Sequence, residues 1–370
     1  MKKHSSSTGK RALGKVSSMT ARMTIGIDLG DRTSRYAIVD GQGELVNEGA
    51  IATTRRAITK ALATMPCCRI ALEVGTHSPW VSRLITSLGH EVFVANTRQL
   101  AAITKSSRKS DRVDARMLAR LARVDPQLLR PIRHRGEQTQ GHLMKIRVRA
   151  ALVEMRTAAI NSARGLAKAV GERLPDCDAD QMNRTRMKEL PQWLSRTIEP
   201  LLAEAERLTG EIRECDRAIE QIARNEYPET KRLQQIWGIG TLIALTFVLT
   251  VEEPGRFVRS RDVGCYVGLR PERSQSGESD PELGITKEGD RYLRKLLVEG
   301  AHRILWRAAP DTDLKRWGQK LAARGGKNAK KRAIVAVARK LAILLHRLWV
   351  TGEAYEPLRN SKQKALKKAA

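Results

Sequence analysis

The sequence has few aromatic residues and no long apolar run. Phe, Trp and Tyr make up 4% of the 370 residues, which argues against a surface that binds single strands mainly by stacking bases on aromatic rings. No run of about 18 or more apolar residues occurs, so we predict no membrane-spanning helix and no membrane partner. Residues 1–22 mix Lys and Arg with Ser, Thr and Gly around no apolar core. This predicts a basic, disordered arm on a cytoplasmic protein, without a signal peptide.

Cysteine and acidic residues are also scarce. The five cysteines include no pair with the spacing of zinc ligands, and a cytoplasmic chain keeps its thiols reduced, so we expect neither a zinc site nor disulfides. The 40 Asp and Glu residues are outnumbered by 68 Lys and Arg residues, which gives a formal net charge of +28. This excess predicts a polyanionic partner, because each neutralised phosphate releases counterions.

The apolar residues are sufficient for folded cores and follow two periodicities. They make up 41% of the chain, whose 370 residues predict two or three domains. In the first third, three consecutive strands are predicted, followed by alternating helices and strands, which is an α/β layout with a mixed sheet. The predicted strands are 23–30, 35–40, 44–51, 69–75 and 91–95, and the predicted helices are 54–64, 78–88 and one that begins near residue 110.

Four carboxylates occupy informative places in this layout. Asp28 and Glu73 lie near the ends of the first and fourth predicted strands, and Asp111 and Asp114 lie in the first turn of the helix that begins near residue 110. A carboxylate inside an apolar strand is costly unless it is paired. Each acid alone could lie on a solvated face or cap a helix, but the four together favour a shared site for Mg²⁺, which binds oxygen ligands.

A polar segment in the last third contains a serine beside arginines and a glycine. Ser276 follows Arg270 and Arg273 and precedes Gly277, and the Ser, Asp and Pro residues that follow cannot continue a helix or a strand. Next comes a predicted basic helix, whose amino-terminal amides would favour a phosphate. A solvated surface loop is the alternative interpretation. The basic residues of this helix and its approach are Lys287, Arg291, Arg294 and Lys295.

These motifs together resemble a known family. The sequences GIDLG around Asp28, ALEVG around Glu73 and KSDRVDA around Asp111 and Asp114 are similar to the four-acid DEDD set of RuvC-like domains, which have an RNase H-type fold. With GLRPERSQSG and GITKEGDRYLRKLLVEGA, they resemble the DEDD transposases of bacterial insertion sequences, the group related to the Piv and MooV invertases. The resemblance extends from about residue 23 to residue 349.

The resemblance implies a site and a reaction. It implies that the four acids bind Mg²⁺ and that a serine directly before a glycine attacks DNA, which selects Ser276 over Ser274. It also implies a nucleoid-associated recombinase that forms a transient phosphoserine link, acts on double-stranded DNA of the element ends and target, and is guided by a noncoding RNA. A junction-resolving nuclease without a covalent intermediate and a noncatalytic nucleic-acid-binding protein are the alternatives.

The predicted domain order places a spacer between the acids and the serine. In the spacer, apolar residues from Leu201 to Ile222 recur at intervals of three and four, which predicts a coiled-coil seam. The seam forms either a hairpin within the chain or a contact between subunits of a dimer or tetramer. We expect composite sites, in which one subunit supplies the acids and its neighbour the serine. The predicted domains are a RuvC-like domain (23–136), a helical spacer (137–226), a mostly helical carboxy-terminal transposase domain (227–352) and a basic tail (353–370).

Further residues are predicted to contact nucleic acid, mainly at its phosphates. Gly238 and Gly240 lie between two apolar helical runs and resemble the turn of helix-hairpin-helix DNA binders, although a plain helical turn fits the same pattern. A basic loop from Lys320 to Arg332 and the Lys-rich tail are assigned to nucleic acid on charge alone, and for the tail a solvated surface is the alternative. The predicted contacts before the acidic pair are Lys105, Arg108 and Lys109.

Overall fold

The computed structural model describes residues 23–96, 111–273 and 283–361. The chain divides after Arg135 into two compact units, and each has its own architecture. Among the described helices, none combines the length and the apolar character needed to cross a membrane.

The first unit contains a five-stranded mixed sheet. The strands are β1 (Thr24–Asp28), β2 (Thr33–Val39), β3 (Leu45–Ala52), β4 (Arg69–Glu73) and β5 (Glu91–Ala95). They lie in the order β3-β2-β1-β4-β5. β1, β4 and β5 are parallel, whereas β2 is antiparallel to both β1 and β3. The predicted α/β layout with a mixed sheet is therefore confirmed, and each predicted strand is found close to its expected bounds.

Helices cover both faces of this sheet. The described helices are α1 (Arg55–Leu62), α2 (Ser78–Ser87) and α3 (Asp111–Val124). Side chains alternate along a strand, so Ile25 of β1 packs with α1 and α2 on one face. On the other face, Ala71 of β4 packs with Leu118 of α3.

α3 lies very close to β1 at Gly26. A Cβ atom at this position would lie 2.1 Å from the carbonyl oxygen of Ala115 and 2.5 Å from the amide nitrogen of Ala119. Both alanines are completely buried. The strand accepts the helix backbone at this distance only because residue 26 has no side chain.

The second unit is helical. Its helices are α4 (Glu137–Ala169), α5 (Gln192–Glu226), α6 (Glu229–Leu233), α7 (Thr241–Val251), α8 (Arg261–Tyr266), α9 (Arg291–Leu305), α10 (Asp313–Ala322) and α11 (Ala329–Thr351). Residues 243–251 of α7 are all buried, and this helix forms the centre of a core with α9 and α11. A helix without a polar face is typical of such a central position.

The two long helices of the spacer pack on each other within the chain. Leu143 near the start of α4 contacts the cluster that contains Ile219 near the end of α5, and Ile160 near the end of α4 packs with Leu202. The helices are therefore antiparallel. Most of the predicted seam, including Leu208, is buried inside this pair. The intramolecular hairpin is the alternative that the structure shows, and no second subunit is needed to bury the seam.

The predicted basic loop from Lys320 to Arg332 is shorter than expected, and this prediction was wrong at both ends. Residues 320–322 complete α10, for which no helix was predicted, and residue 329 begins α11. Gly318 lies within α10. In the structure a Cβ atom on Gly318 would lie 2.6 Å from Val337 Cγ2 and 2.7 Å from Leu305 Cδ2, so the glycine serves close packing of the helix.

Candidate active site

Asp28 and Glu73 end neighbouring parallel strands. The register pairs Ile27 with Leu72, and the two acids are the next residues on β1 and β4. Paired residues of neighbouring strands point to the same face, and the strands lie about 4.8 Å apart. Both acids are half-buried. The fold thus brings together two carboxylates that are distant in the sequence.

Both acids lie on the face that α3 covers. Because side chains alternate along a strand, Asp28 shares a face with Gly26, and Glu73 shares a face with Ala71. Gly26 lies against the backbone of α3, and Ala71 packs with Leu118 of the same helix. The helix that carries the acidic pair is therefore on the same side of the sheet as the two strand-end acids.

The direction of α3 follows from a hydrogen bond near its carboxyl end. Arg69 Nη1 donates to the carbonyl oxygen of Ala122 at 3.0 Å, and Arg69 is the first residue of β4. The carboxyl end of α3 therefore lies beside the start of the parallel strands. Its amino end, where Asp111 and Asp114 are found, points toward the opposite edge, at which β1 and β4 end.

Helix and strand spacings place the first turn of α3 near the level of the strand-end acids. Ala115 lies beside Gly26. Four helical residues span about 6 Å, and two strand residues span about 6.6 Å. The backbone of Asp111 is therefore about as far from Ala115 as Asp28 is from Gly26. Asp114, in the same turn, is half-buried. We call this edge of the sheet, with Asp28, Glu73 and the start of α3, the acid edge.

The acid edge contains carboxylates of the kind that a hard divalent cation binds. Carboxylate oxygens are ligands that Mg²⁺ binds, and Asp28 and Glu73 offer two such groups side by side. Within the described residues, which include Asp28, Glu73 and Asp114, no group of three or more His, Cys, Asp or Glu side chains is close enough to hold a metal ion. The side chain of Asp111 and the predicted contacts Lys105, Arg108 and Lys109 lie outside the described part of the chain. The structure thus supports a pair of acids beside a helix start, and four-acid ligation is a proposal.

A histidine that the sequence reasoning missed lies just beyond Glu73. His77 Nε2 lies 3.4 Å from Asp31 Oδ1, and Trp80 Nε1 donates to His77 Nδ1 at 3.1 Å. Because Nδ1 accepts a hydrogen bond, the proton of the neutral ring is assigned to Nε2, facing Asp31. The pair links the loop after β1 to the loop after β4. The sequence signal that could have indicated this contact is the position of His77 three residues before Trp80.

A second histidine, His134, fixes the start of α2. Its Nε2 lies 2.8 Å from Ser78 Oγ, which also donates to the carbonyl oxygen of Gly75 at 2.8 Å. Burial lowers the pKa of His134, and the positive charges of Arg83 and Arg135 lower this pKa further. The neutral ring can then donate from Nε2 to the serine. Ser78 is completely buried, so this pair has a structural role and is not a second nucleophile.

Two arms of the chain, residues 268–273 and 283–287, hold the ends of the segment that contains Ser276. Backbone hydrogen bonds join the arms in antiparallel fashion. These bonds run from Glu272 N to Gly284 O (2.8 Å), from Thr286 N to Arg270 O (3.0 Å) and from Lys287 N to Gly268 O (3.1 Å). Residues 274–282, with Ser274 and Ser276, lie outside the described residues. The arms determine where this segment begins and ends.

Two glycines allow the arms to approach the neighbouring backbone. Gly268 has φ +69°, and a Cβ atom there would lie 2.1 Å from the carbonyl oxygen of Glu288. Gly289 has φ +73°, and its Cβ atom would lie 2.0 Å from the carbonyl oxygen of Tyr266. A side chain at either position is excluded by backbone conformation and by space.

The start of α9 differs from the prediction. Asp290 caps this helix, since its Oδ1 accepts a hydrogen bond from Leu293 N at 2.8 Å. A carboxylate of the chain thus uses one of the amides that were assigned to a phosphate, and phosphate binding at this helix start stays a prediction. Arg294 Nη1 donates to the carbonyl oxygens of Val267 (3.0 Å) and Glu288 (2.7 Å). Burial lowers the pKa of Arg294, and this side chain ties the arms to α9.

The other predicted basic contacts of this region are at the surface. These exposed residues are Arg270, Arg273, Lys287, Arg291 and Lys295.

The predicted turn at Gly238 is present: Gly238 has φ +86°, and a Cβ atom on it would lie 3.0 Å from Arg303 Cβ and 3.3 Å from the carbonyl oxygen of Gly300. Gly240 is exposed and caps α7. The turn thus packs on α9, and a contact between its amides and phosphate stays a prediction.

Comparison with known proteins identifies the class of enzyme. Residues 25–171 match a family model described as a transposase of the DEDD type of IS110 elements, and residues 230–316 match the model of the transposase IS116/IS110/IS902 family. The two matches contain the acid edge and the arms around Ser276, respectively. The chain is therefore a transposase, an enzyme that acts on DNA.

Curated relatives agree with the family models. The chain is 30% identical to the transposase for insertion sequence element IS1328 of Yersinia enterocolitica, over 76% of this chain and 84% of the relative. It is 28% identical to the transposase for insertion sequence element IS1111A of Coxiella burnetii, over 90% of each chain. A probable family 20 transposase of Pseudomonas aeruginosa is 26% identical, over 90% of this chain and 98% of the relative. The chain belongs to the IS110 family of insertion-sequence transposases.

Proposed function

We propose that this transposase cuts and rejoins DNA strands with two groups of residues, the four acids and Ser276. In this reaction the Ser276 oxygen forms a bond to a DNA phosphorus, and the phosphorus–oxygen bond to the adjoining nucleotide breaks. That nucleotide leaves with its oxygen, which takes up a proton. Attack by the terminal hydroxyl of a second strand then releases the serine and restores a phosphodiester. The covalent step conserves the bond for strand exchange.

The register of Asp28 with Glu73 is the observation that carries this proposal. Two half-buried carboxylates on neighbouring strands repel each other, and a cation between them converts the repulsion into attraction. α3 begins toward the same edge, which supports the participation of Asp111 and Asp114. The mixed sheet with parallel β1 and β4 supports an RNase H-like fold for this unit.

The four acids would hold Mg²⁺, and the exposed basic residues of the arms would hold the DNA. Bound Mg²⁺ supplies a positive charge that polarises the scissile phosphate. Arg270 and Arg273 precede the serine segment and Lys287 follows it, and we assign these three side chains to contacts with the phosphate that Ser276 attacks. Arg291 and Lys295 extend the basic surface along α9.

A guide RNA and a homo-oligomer complete the proposal. The family resemblance of the motifs supports a noncoding RNA that pairs with donor and target DNA. The net charge of +28 suits the binding of several nucleic-acid strands at once. A dimer or tetramer would place two duplexes together, with acids and serine supplied by different subunits.

A strand-exchange assay tests this function. The experiment uses the full chain, Mg²⁺, double-stranded DNA with the element ends and RNA transcribed from the element. We expect recombinant product from the wild-type chain and none from Ser276→Ala, whereas Ser274→Ala recombines. EDTA abolishes the product. Cleaved but unjoined DNA from Ser276→Ala at the wild-type rate would instead support a junction-resolving nuclease, and no DNA cleavage by the wild-type chain would support a noncatalytic binding protein.

A further inference from the structure

A groove lies between the arms and two helices of the second unit. One wall is formed by the arms that flank residues 274–282, with Leu269, Arg273 and Ile285 among its residues. The other wall is formed by the end of α10 and the first half of α11. The groove has a volume of about 980 Å³. Arg273 and Leu283, the described residues on either side of residues 274–282, both line it. The groove is therefore next to both ends of the serine segment.

The rim of this groove is strongly basic. Six basic side chains line it, and Glu272 is the single acid among the described lining residues. The basic residues are Arg273, Arg324, Lys331, Arg332, Arg339 and Lys340. Lys340 Nζ lies 3.8 Å from the centroid of the Trp317 ring, a cation–π contact that fixes the ammonium group over one face of this ring. The groove thus attracts an anion along its length.

The floor of the groove is apolar. Its accessible apolar side chains include Leu283, Trp317, Leu321 and Ile343. A double helix presents phosphates outward and keeps its base faces stacked, and its major groove alone is about 12 Å wide. Such a duplex would rest across the rim. An unpaired strand, in contrast, exposes sugars and base faces that the floor can cover while its phosphates meet the rim.

We propose that this groove binds a single, unpaired nucleic-acid strand that leads to the serine segment. The inference rests on the proposed function, because the arms join the groove to Ser276. The phosphates contact the basic rim, and the sugars and bases contact the apolar floor. The groove holds the strand on one side of the reacting phosphate, and the exposed arginines of the arms hold it at that phosphate.

Binding of an unpaired oligonucleotide tests the groove without measuring recombination. The probe is a fluorescent DNA of about 12 nucleotides without self-pairing, and binding is followed by fluorescence anisotropy at several salt concentrations. The groove variant is Arg324→Glu, Lys331→Glu and Lys340→Glu combined, at three exposed positions. The matched control is Arg186→Glu, Lys188→Glu and Arg196→Glu combined, which makes the same change in charge at exposed positions outside the groove.

We expect the groove variant to lose at least tenfold in affinity for the single strand and the control variant to lose less than threefold. The slope of the logarithm of affinity against the logarithm of salt should become shallower by about 0.7 for each lost phosphate contact. Affinity for a blunt duplex of the same length should change equally in the two variants. Both variants must keep the wild-type circular dichroism and melting temperature, since all six positions are exposed.

Three results would overturn this inference. They are equal loss of single-strand affinity in both variants, a larger loss for duplex than for single strand, or displacement of the probe by polyglutamate as effectively as by unlabelled oligonucleotide. The last result would assign the groove to an acidic peptide. None of these results decides whether Ser276 is the nucleophile. An Arg324→Lys, Lys331→Arg and Lys340→Arg variant should retain the affinity, because positive charge is kept.

Discussion

Asp28 and Glu73 occupy the same level of two parallel strands, one residue beyond the pair of Ile27 and Leu72. Each acid ends its strand, and each points to the face on which α3 packs. This relationship cannot be seen in the sequence, where the acids are separated by two strands and a helix. It brings two acidic residues that are distant in sequence to the same edge of the sheet.

Neutral replacements at the acid edge should abolish activity and spare the fold. Asp28→Asn and Glu73→Gln keep side-chain size and remove one negative charge each. Since a catalytic metal contributes several kcal/mol to the reaction, we expect strand exchange to fall by about 100-fold or more in each variant. When affinity for DNA is measured without metal, it should be equal to or higher than that of the wild-type chain, because the site repels phosphate less.

Glu91→Gln is the control for this experiment. Glu91 is on the same sheet but begins β5, at the opposite edge, where it pairs with Arg69 at 3.0 Å. This variant should recombine DNA at nearly the wild-type rate. Wild-type activity of both Asp28→Asn and Glu73→Gln would contradict a shared metal site.

Gly26→Val should damage the first unit by displacing α3. The new side chain would meet the backbone at Ala115, which cannot move as a flexible side chain can. We expect a loss of about 2–3 kcal/mol in the free energy of unfolding, typical of overpacking, together with reduced strand exchange because the first turn of α3 moves. Gly75→Ala is the control, since a Cβ atom there has open space. A melting temperature of Gly26→Val equal to that of Gly75→Ala would show that the close contact is not needed.

The stability of the first unit should depend on pH through His134. The pKa of His134 is lowered in the folded state, so the unfolded chain binds the proton more strongly. The stabilising contribution is therefore complete above the unfolded pKa of about 6.5 and is lost as pH falls below this value. We expect the melting temperature to fall more between pH 7.5 and pH 5.5 in the wild-type chain than in His134→Gln. The reverse order would contradict the assignment of a neutral donor to Ser78.

Mixing two inactive variants tests whether active sites are shared between subunits. Asp28→Asn retains Ser276, and Ser276→Ala retains the acids, so mixed oligomers contain some sites with both intact groups. We expect part of the wild-type strand exchange to return on mixing. Because Leu208 and its neighbours in the seam are buried within the hairpin, the oligomer must use another surface. No recovery in mixed oligomers shown to have formed would favour a site within one chain.

Local sequence patterns predicted the helices and strands of this protein better than the way in which they pack on one another. The strand with Ile25 and Ile27 and the helix with Leu208 and Ile212 follow directly from apolar spacing. The direction of α3 depends on long-range contacts such as that of Arg69 with Ala122, which no local pattern contains.

The contacts around the serine also depend on relations that the sequence does not show. Arg294 was interpreted from charge as a phosphate contact, and its guanidinium donates to two backbone carbonyl oxygens of its own chain. The amides at the start of α9 were assigned to a phosphate, and one of them donates to Asp290. Charge in a sequence does not distinguish a side chain that holds a loop from one that holds a ligand. The helix α10 was missed for a similar reason, since the packing of its Gly318 depends on Val337 and Leu305, which are distant in sequence.

The most direct test of the central claim is to trap and map the covalent protein–DNA link. Suicide DNA substrates with a nick beside the exchange point, incubated with the full chain, Mg²⁺ and element RNA, should accumulate a complex that survives denaturation. Mass spectrometry after protease and nuclease digestion should find a nucleotide on the peptide that contains Ser276, and the complex should be absent with Ser276→Ala, with Asp28→Asn or in EDTA. Recombination without any covalent complex, or a nucleotide attached to Ser274 or another residue, would contradict the assignment of Ser276 as the nucleophile.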